Sequence, residues 1–103
     1  MLATMEIKTY YFIGIGGIGR YFKTMGHNVF GYDRTATQLT KDLESEGIDI
    51  TYEDDTNHIL SANVDLVIYT PAIGQNNNIL QCAKDNKKKK KKRSEMLGII
   101  TKS

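Results

Sequence analysis

The stretch 10–19 constrains the fold most, because an apolar run leads directly into a glycine-rich turn. The residues from Tyr10 to Ile15 show no alternation of polar and apolar side chains, which predicts a strand buried on both faces. The run continues into Gly-x-Gly-x-x-Gly, formed by Gly14, Gly16 and Gly19. Such a turn between a strand and a helix is typical of an α/β fold that binds nucleotides or phosphate.

Each glycine of the turn has a distinct expected role. Gly14 allows the tight turn off the strand, and Gly16 lets backbone N–H groups approach a phosphate. Gly19 lets the following helix lie close to the sheet, and the start of that helix supplies unpaired N–H donors for an anion. The alternative is a glycine-rich turn that binds no ligand.

Two further strands are predicted to end beside this turn. Val29–Tyr32 reads as the second strand, and Asp33, about 20 residues beyond the glycine turn, is placed to accept hydrogen bonds from ribose hydroxyls. The alternative is that Asp33 starts a turn or caps the next helix. The run 64–69 is a further buried strand. Its loop offers the Thr70 hydroxyl in the same crevice, and Ala72 and Ile73 offer backbone groups together with an apolar wall for a base.

The segments between the predicted strands show helical periodicity and helix-capping signals. Ile18, Phe22 and Met25 share one helix face, as do Leu39 and Leu43 of the next helix. Gly26 and Gly47 are placed to end these two helices. The residues 35–38 fit a capping box, with the Thr35 hydroxyl and the Gln38 amide as its members. The residues 76–78 are expected to cap a fourth helix, and 48–52 to form an edge strand.

Other reactive side chains are assigned structural roles. The carboxylates of 53–55 resemble half a metal site, but a solvated loop that caps a helix over 56–60 fits them better. His27 is expected in a surface loop, and His58 in the short helix without a partner at ligand spacing. Cys82 is expected as a buried, unreactive thiol, since a lone cysteine cannot form an internal disulfide.

Composition indicates one small domain with a local basic block. Residues 87–93 hold seven of the 14 basic residues, so the rest of the chain carries seven basic against 12 acidic residues, a net charge of −5. The chain has no apolar run long enough to cross a bilayer and no signal peptide, so a cytoplasmic location without membrane contact is expected. The six lysines could bind a polyanion, but no aromatic residues lie among them, so no nucleic-acid partner is expected.

Four ordered motifs together resemble the N-terminal domain of the Mur ligases of bacterial peptidoglycan synthesis, in the branch that adds L-alanine to UDP-N-acetylmuramate. These motifs are the glycine turn Phe12–Gly19, Gly31–Asp33, Thr70–Ile73 and Lys92–Leu97. The resemblance implies an α/β, Rossmann-like, three-layer fold with a parallel sheet of four to five strands, formed by 1–103. It also implies that UDP-N-acetylmuramate is bound by Gly14, Gly16, Gly17, Ile18, Gly19, Asp33, Thr70, Ala72 and Ile73.

The resemblance implies further that catalysis needs domains outside this sequence. In the family, ATP and Mg²⁺ activate the muramate carboxylate, and a central ATP-binding domain and a C-terminal domain follow the N-terminal one. This chain has no Gly-x-x-x-x-Gly-Lys-Ser/Thr loop, so it is expected to bind no cofactor, to have no catalytic residue and to be inactive alone.

Two departures from the family pattern lie in the chain. Gly19 runs directly into Arg20, about five residues short of the family pattern, which makes the crossover to the second strand close to the minimum of about a dozen residues. The lysine run 87–92 stands where the family has an apolar fifth strand, and a run of like charges normally stays solvated, which leaves open whether the sheet has four strands or five. The alternative to a UDP-sugar-binding domain is an NAD(P)-binding domain of an oxidoreductase or a nucleotide-sensing regulator. In that case Arg34 would approach the 2′-phosphate of NADP.

Overall fold

The computed structural model describes residues 7–15, 17–70, 77–86 and 88–92, which form a parallel α/β sheet with helices on both faces. Strands and helices alternate along these residues. In chain order the elements are β1 (Thr9–Ile13), α1 (Ile18–Thr24), β2 (Asn28–Tyr32), α2 (Gln38–Ser45), β3 (Asp49–Thr51), α3 (Thr56–Ser61), β4 (Leu66–Tyr69), α4 (Asn78–Asp85) and β5 (Lys90–Lys92). The predicted fold class is confirmed.

The first strand lies in the middle of the sheet. The strand order is β3-β2-β1-β4-β5, and every neighbouring pair is parallel. The chain therefore builds outward from β1 to β3, then crosses to the other side of β1 to form β4 and β5. In such sheets ligands collect beyond the carboxyl ends of the strands, where the order reverses. Here that point lies between β1 and β4.

The sheet is buried on both faces, as the apolar run of β1 predicts. Tyr10 and Phe12 face one core, and Tyr11 and Ile13 face the other. The first core packs the sheet against α1 and α2 and contains Tyr10, Phe12, Ile15, Ile18, Phe22, Val29, Leu43, Ile48 and Ile68. The second packs it against α3 and α4 and contains Tyr11, Ile13, Tyr32, Ile59, Val64, Val67, Ile79, Leu80 and Ala83. The three-layer arrangement follows from this division.

Helix α1 is short, and its predicted apolar face is only partly correct. Ile18 and Phe22 are buried, whereas Met25 is 41% exposed. The reason is that the helix ends at Thr24, and Gly26, at φ +94°, turns the chain away before Met25 reaches the core. The predicted role of Gly26 at the helix end is confirmed.

Helix α2 begins later than its capping signal predicts. The capping box is formed by Thr37 and Thr40, not by Thr35 and Gln38. With the helix starting at Gln38, Thr40 and Leu43 point inward, and Leu39 is 38% exposed rather than part of a buried stripe. The later start is the physical reason for both errors.

The helices on the other face carry the predicted caps. Asp55 accepts a hydrogen bond from the Asn57 N–H at 2.9 Å at the start of α3, and Asn77 accepts one from the Leu80 N–H at 2.9 Å in α4. Asp54 adds a connection that the sequence does not reveal. Its carboxylate accepts the N–H groups of Asn78 (2.7 Å) and Ile79 (2.9 Å), so the loop after β3 caps α4.

The lysine run includes a strand, which decides between the four and five strands predicted. Lys90–Lys92 pairs in parallel with residues 67–69 of β4. An edge position explains this, because the backbone pairs on one side while Lys91 and Lys92 extend into solvent. The fifth strand is therefore present.

Two side chains differ from their predicted surroundings. His27 is buried, not on the surface, and its Nδ1 accepts the Lys8 N–H at 3.2 Å. Cys82 is only partly buried at the edge of the second core. His58 lies in α3 as predicted, and its Nδ1 is 2.6 Å from the hydroxyl oxygen of the buried Tyr11, within hydrogen-bond distance.

No helix within the described ranges is both long and apolar enough to cross a bilayer.

Candidate functional site

Three predicted site residues lie side by side at the carboxyl edge of the sheet. The last residue of β1 is paired with the last residue of β2 on one side and of β4 on the other. Gly14, Asp33 and Thr70 are each the first residue after one of these three adjacent strands. The Gly14 N–H donates to the Tyr32 carbonyl at 2.8 Å, and the Thr70 N–H donates to the Ile13 carbonyl at 3.3 Å. Since β2 and β4 flank β1, about 10 Å separates the backbones of Asp33 and Thr70.

Gly14 makes the turn rather than supplying a donor. Its φ is +80°, a conformation that favours glycine, and its N–H is already bonded to β2. Any backbone N–H donor from the glycine turn must therefore come from the residues after Gly14.

The start of α1 presents backbone donors at the same edge. Gly17 is the N-cap and has no side chain with which to cap the helix. The Arg20 N–H donates to the Gly17 carbonyl at 3.2 Å, which leaves the N–H groups of Ile18 and Gly19 as first-turn donors without a helical acceptor. A Cβ built on the exposed Gly17 would meet nothing within 4 Å, so packing does not require glycine at this position.

Packing requires glycine at position 19 and also at position 31, which lies outside the Gly-x-Gly-x-x-Gly turn. A Cβ on Gly19 would lie 2.8 Å from Ile15 Cγ1, and a Cβ on Gly31 would lie 2.8 Å from Ile15 Cδ1. The fully buried Ile15 side chain thus fits between two glycines, one in α1 and one in β2. The predicted close approach of helix and sheet at Gly19 is present. Because glycine is unusual inside an apolar strand, the position of Gly31 in β2 was the signal that could have revealed its packing role.

Asp33 combines a turn with an accessible carboxylate. Its N–H extends the β-ladder to the Thr51 carbonyl at 3.1 Å, and its Oδ1 accepts the Thr35 N–H at a long 3.5 Å. The side chain is half-buried. Asp33 therefore starts a turn, while the cap of the next helix is Thr37. A single long hydrogen bond leaves the carboxylate with capacity to accept others.

Three other predicted site residues lie outside the described residues: Gly16, Ala72 and Ile73.

The strongest electrostatic perturbation lies beneath the edge rather than on it. Burial, followed by the carboxylates of Asp49, Asp54 and Asp55, raises the pKa of the Tyr11 hydroxyl far above its ordinary value. Tyr11 is fully buried in the core and bonded to His58, whose Nε2 lies 3.2 Å from Asp49 Oδ1. This chain of side chains joins β1, α3 and β3, and its role is structural.

The described part of the edge has the features of a binding site without reactive groups. It offers backbone donors, one carboxylate and Thr70, but no acid–base pair. Across the described ranges, no group of three or more His, Cys, Asp or Glu side chains could hold a metal ion. The carboxylates of Asp54 and Asp55, half of a metal site by sequence, are used as helix caps. These two carboxylates therefore do not fit Mg²⁺.

Named relatives resemble nearly the whole chain. It is 43% identical over 106 residues to the UDP-N-acetylmuramate–L-alanine ligase of Christiangramia forsetii, covering 93% of this chain and 24% of that protein. It is 46% identical over 105 residues to the ligase of the same name from Flavobacterium johnsoniae, covering 94% and 23%. The chain thus spans about a quarter of the length of these relatives.

A solved structure of similar name has the same fold. The crystal structure of UDP-N-acetylmuramate–alanine ligase from Thermotoga maritima superposes with a TM-score of 0.82 at 26% identity, covering 92% of this chain and 23% of that one. The profile described as "Mur ligase family, catalytic domain" matches residues 9–103. The glycine turn, the central β1 and the sequence relatives agree, and the chain belongs to the Mur ligase family.

Proposed function

We propose that this chain is the UDP-sugar-binding domain of a UDP-N-acetylmuramate–L-alanine ligase. The observation that carries the proposal is the position of the glycine turn, Asp33 and Thr70 on three adjacent strand ends. The relatives that match nearly the whole chain carry that ligase name. A role in peptidoglycan synthesis and a cytoplasmic location belong to the same proposal.

The edge divides into three contact regions for the ligand. The diphosphate lies against the glycine turn, where Gly14, Gly16 and Gly17 keep the surface free of side chains and the N–H groups of Ile18 and Gly19 donate to it. The Asp33 carboxylate accepts hydrogen bonds from the ribose. The uracil lies against the loop that begins at Thr70 and contains Ala72 and Ile73.

The rest of the ligase would complete the reaction. ATP with Mg²⁺, held outside these residues, supplies the phosphoryl group that activates the muramate carboxylate for attack by L-alanine. This chain's contribution is to bind and orient the substrate. We therefore expect ligand binding by the isolated chain, without ligation.

An NAD(P)-binding domain is the alternative, because Gly14 and Asp33 occupy positions that dinucleotide-binding folds also use. A titration separates the two. UDP-N-acetylmuramate, NADH and NADPH are added in turn to isotopically labelled protein, and amide chemical shifts are followed. We expect the UDP-sugar to shift the amides of Gly17, Ile18 and Gly19, and the nicotinamide cofactors to leave them unchanged. A shift of these amides by NADH or NADPH alone would overturn the proposal.

A carboxylate variant tests the ribose contact. Asp33→Asn should weaken binding of the UDP-sugar about tenfold, because it removes a charged acceptor worth about 1.5–3 kcal/mol. Asp85→Asn is the matched control, since the exposed Asp85 lies at the end of α4, away from the carboxyl edge, and accepts the Gln81 amide at 3.0 Å. Calorimetric titration of both variants measures the difference, and equal affinities would remove Asp33 from the site.

A further inference from the structure

A second groove lies at the amino edge of the sheet, at the opposite end of the strands from the glycine turn. Its volume is about 530 Å³. Four lysines line it, with one carboxylate and an apolar floor: Lys8, Lys88, Lys89, Lys91, Asp65, Tyr10, Val64 and Leu66. The proposed UDP-sugar site uses none of these residues.

The groove has a strong excess of positive charge. Within the described part of the chain, no carboxylate lies within salt-bridge distance of any of its four lysines. The one acidic residue, Asp65, is tied to the backbone, since its Oδ2 accepts the Thr9 N–H at 2.8 Å. Its charge is therefore directed at the start of β1. The ammonium groups of the four lysines repel one another, and an anion bound in the groove would reduce that repulsion.

The lysines project from a fixed backbone. The Lys88 N–H donates to the Ala83 carbonyl at 3.0 Å, and the Val67 N–H donates to the Lys89 carbonyl at 2.8 Å. Lys91 is paired within the sheet as part of β5. The Lys88 ammonium also reaches the Val64 carbonyl at 3.4 Å, across the groove. These bonds reduce the conformational entropy that a ligand would otherwise have to remove.

The floor of the groove favours a compact ligand over a nucleic acid. The Tyr10 ring is 9% exposed and packs against Phe22 (centroids 4.7 Å apart) and His27 (5.1 Å). It therefore offers no free face for base stacking, on which binding of single strands depends. We propose that this groove, defined by Lys8, Lys88, Lys89 and Lys91, binds a small polyanion of the polyphosphate class.

Titration of the 103-residue chain with tripolyphosphate tests the site. We expect amide shifts at 64–66 and 88–91, with no shifts at 17–19, and binding that weakens as sodium chloride is raised. The double variant Lys89→Gln/Lys91→Gln should lose about tenfold in affinity, since it removes two of the four ammonium groups, each of which forms only a weak surface ion pair with the ligand. Lys23→Gln/Lys41→Gln is the control, because it removes the same charge from α1 and α2, outside the groove.

Each outcome decides the proposal. Loss of affinity in the groove variant alone supports the site. Equal loss in both double variants would show attraction to net charge only, and would overturn it. Sulfate binding as tightly as tripolyphosphate, or an oligothymidylate binding more tightly than either, would also overturn it. Because the UDP-sugar is read out at 17–19, failure of this groove leaves the proposed function intact, and the reverse also holds.

Discussion

At the scale of single residues, glycine has different roles at neighbouring positions. Gly31 and Gly19 leave room for Ile15, which is fully buried between them and anchors the chain just before the turn. Gly17 has open space around it and φ −74°, so neither packing nor backbone conformation requires glycine there. The sequence motif does not distinguish these glycines, whereas the space around each one does.

Gly31→Ala should destabilise the fold by about 1–3 kcal/mol, because overpacking forces the buried Ile15 to move. The added Cβ would lie 2.8 Å from Ile15 Cδ1 and 3.2 Å from Ile15 Cβ. Gly17→Ala is the control and should change stability by less than about 0.5 kcal/mol. Urea denaturation measures both variants. Ile15→Val removes Cδ1, so it should cost less in the Gly31→Ala background than alone; additive costs would contradict the contact.

Alkaline pH should destabilise the protein partly through Tyr11. Burial raises the pKa of its hydroxyl above the unfolded value of about 10, so this contribution is complete below pH 10 and is lost as pH rises further. Tyr11→Phe should show a shallower loss of stability above pH 10, although it is less stable at neutral pH because the His58 ring loses its donor. Tyr21→Phe, at a 41% exposed ring, is the control. Thermal unfolding across pH measures this, and equal alkaline slopes would contradict it.

At the scale of elements, the helix ends depend on contacts distant in sequence. Asp54 lies in the loop after β3 yet accepts two N–H groups of α4, 24 and 25 residues further along the chain. The local signals for α3 and α4 were sufficient to predict their own caps. This third cap could not be predicted, because only the crossover places the loop beside α4. β5 could not be predicted for the same reason. Its lysines disfavour a strand locally, but the fold places them beside β4, with which they pair at the sheet edge.

Asp54→Ala should destabilise the protein by about 1–2 kcal/mol, since the first turn of α4 loses both an acceptor and a favourable charge. Hydrogen exchange should accelerate most at Asn78 and Ile79. Glu53→Ala is the control, because the exposed Glu53 uses its backbone, not its carboxylate, in its hydrogen bonds with Thr51 and Asp55. Equal effects of the two variants would show that general loop charge, not the cap, stabilises α4.

At the scale of the whole molecule, the general plan was predictable from sequence and its exceptions were not. The glycine turn and unbroken apolar strands were sufficient to predict a parallel sheet covered on both faces. His27 was assigned wrongly to the surface, because its burial depends on the Tyr10 ring, which packs against it from the sheet. The candidate site was predictable as a set of strand ends, since parallel strands bring their carboxyl ends to one edge.

The two proposed ligands should bind independently, because the strands separate the edges by about 16 Å. At saturation near 100 times its dissociation constant, each should stabilise the fold by about 2.7 kcal/mol. The shifts in melting temperature caused by UDP-N-acetylmuramate and tripolyphosphate should then add. A combined shift equal to the larger single one would mean that both compete for one site.

The central place of β1 also has a consequence for synthesis. As the chain leaves the ribosome, β1 to β3 emerge with α1 and α2, which is enough to cover one side of the sheet. The other side, with Tyr11, Ile13 and Tyr32, has no cover until α3, β4 and α4 follow, some 50 residues after β1. A nascent chain halted before Leu66 therefore exposes an aromatic surface and an unpaired strand, which is the kind of intermediate that chaperones bind.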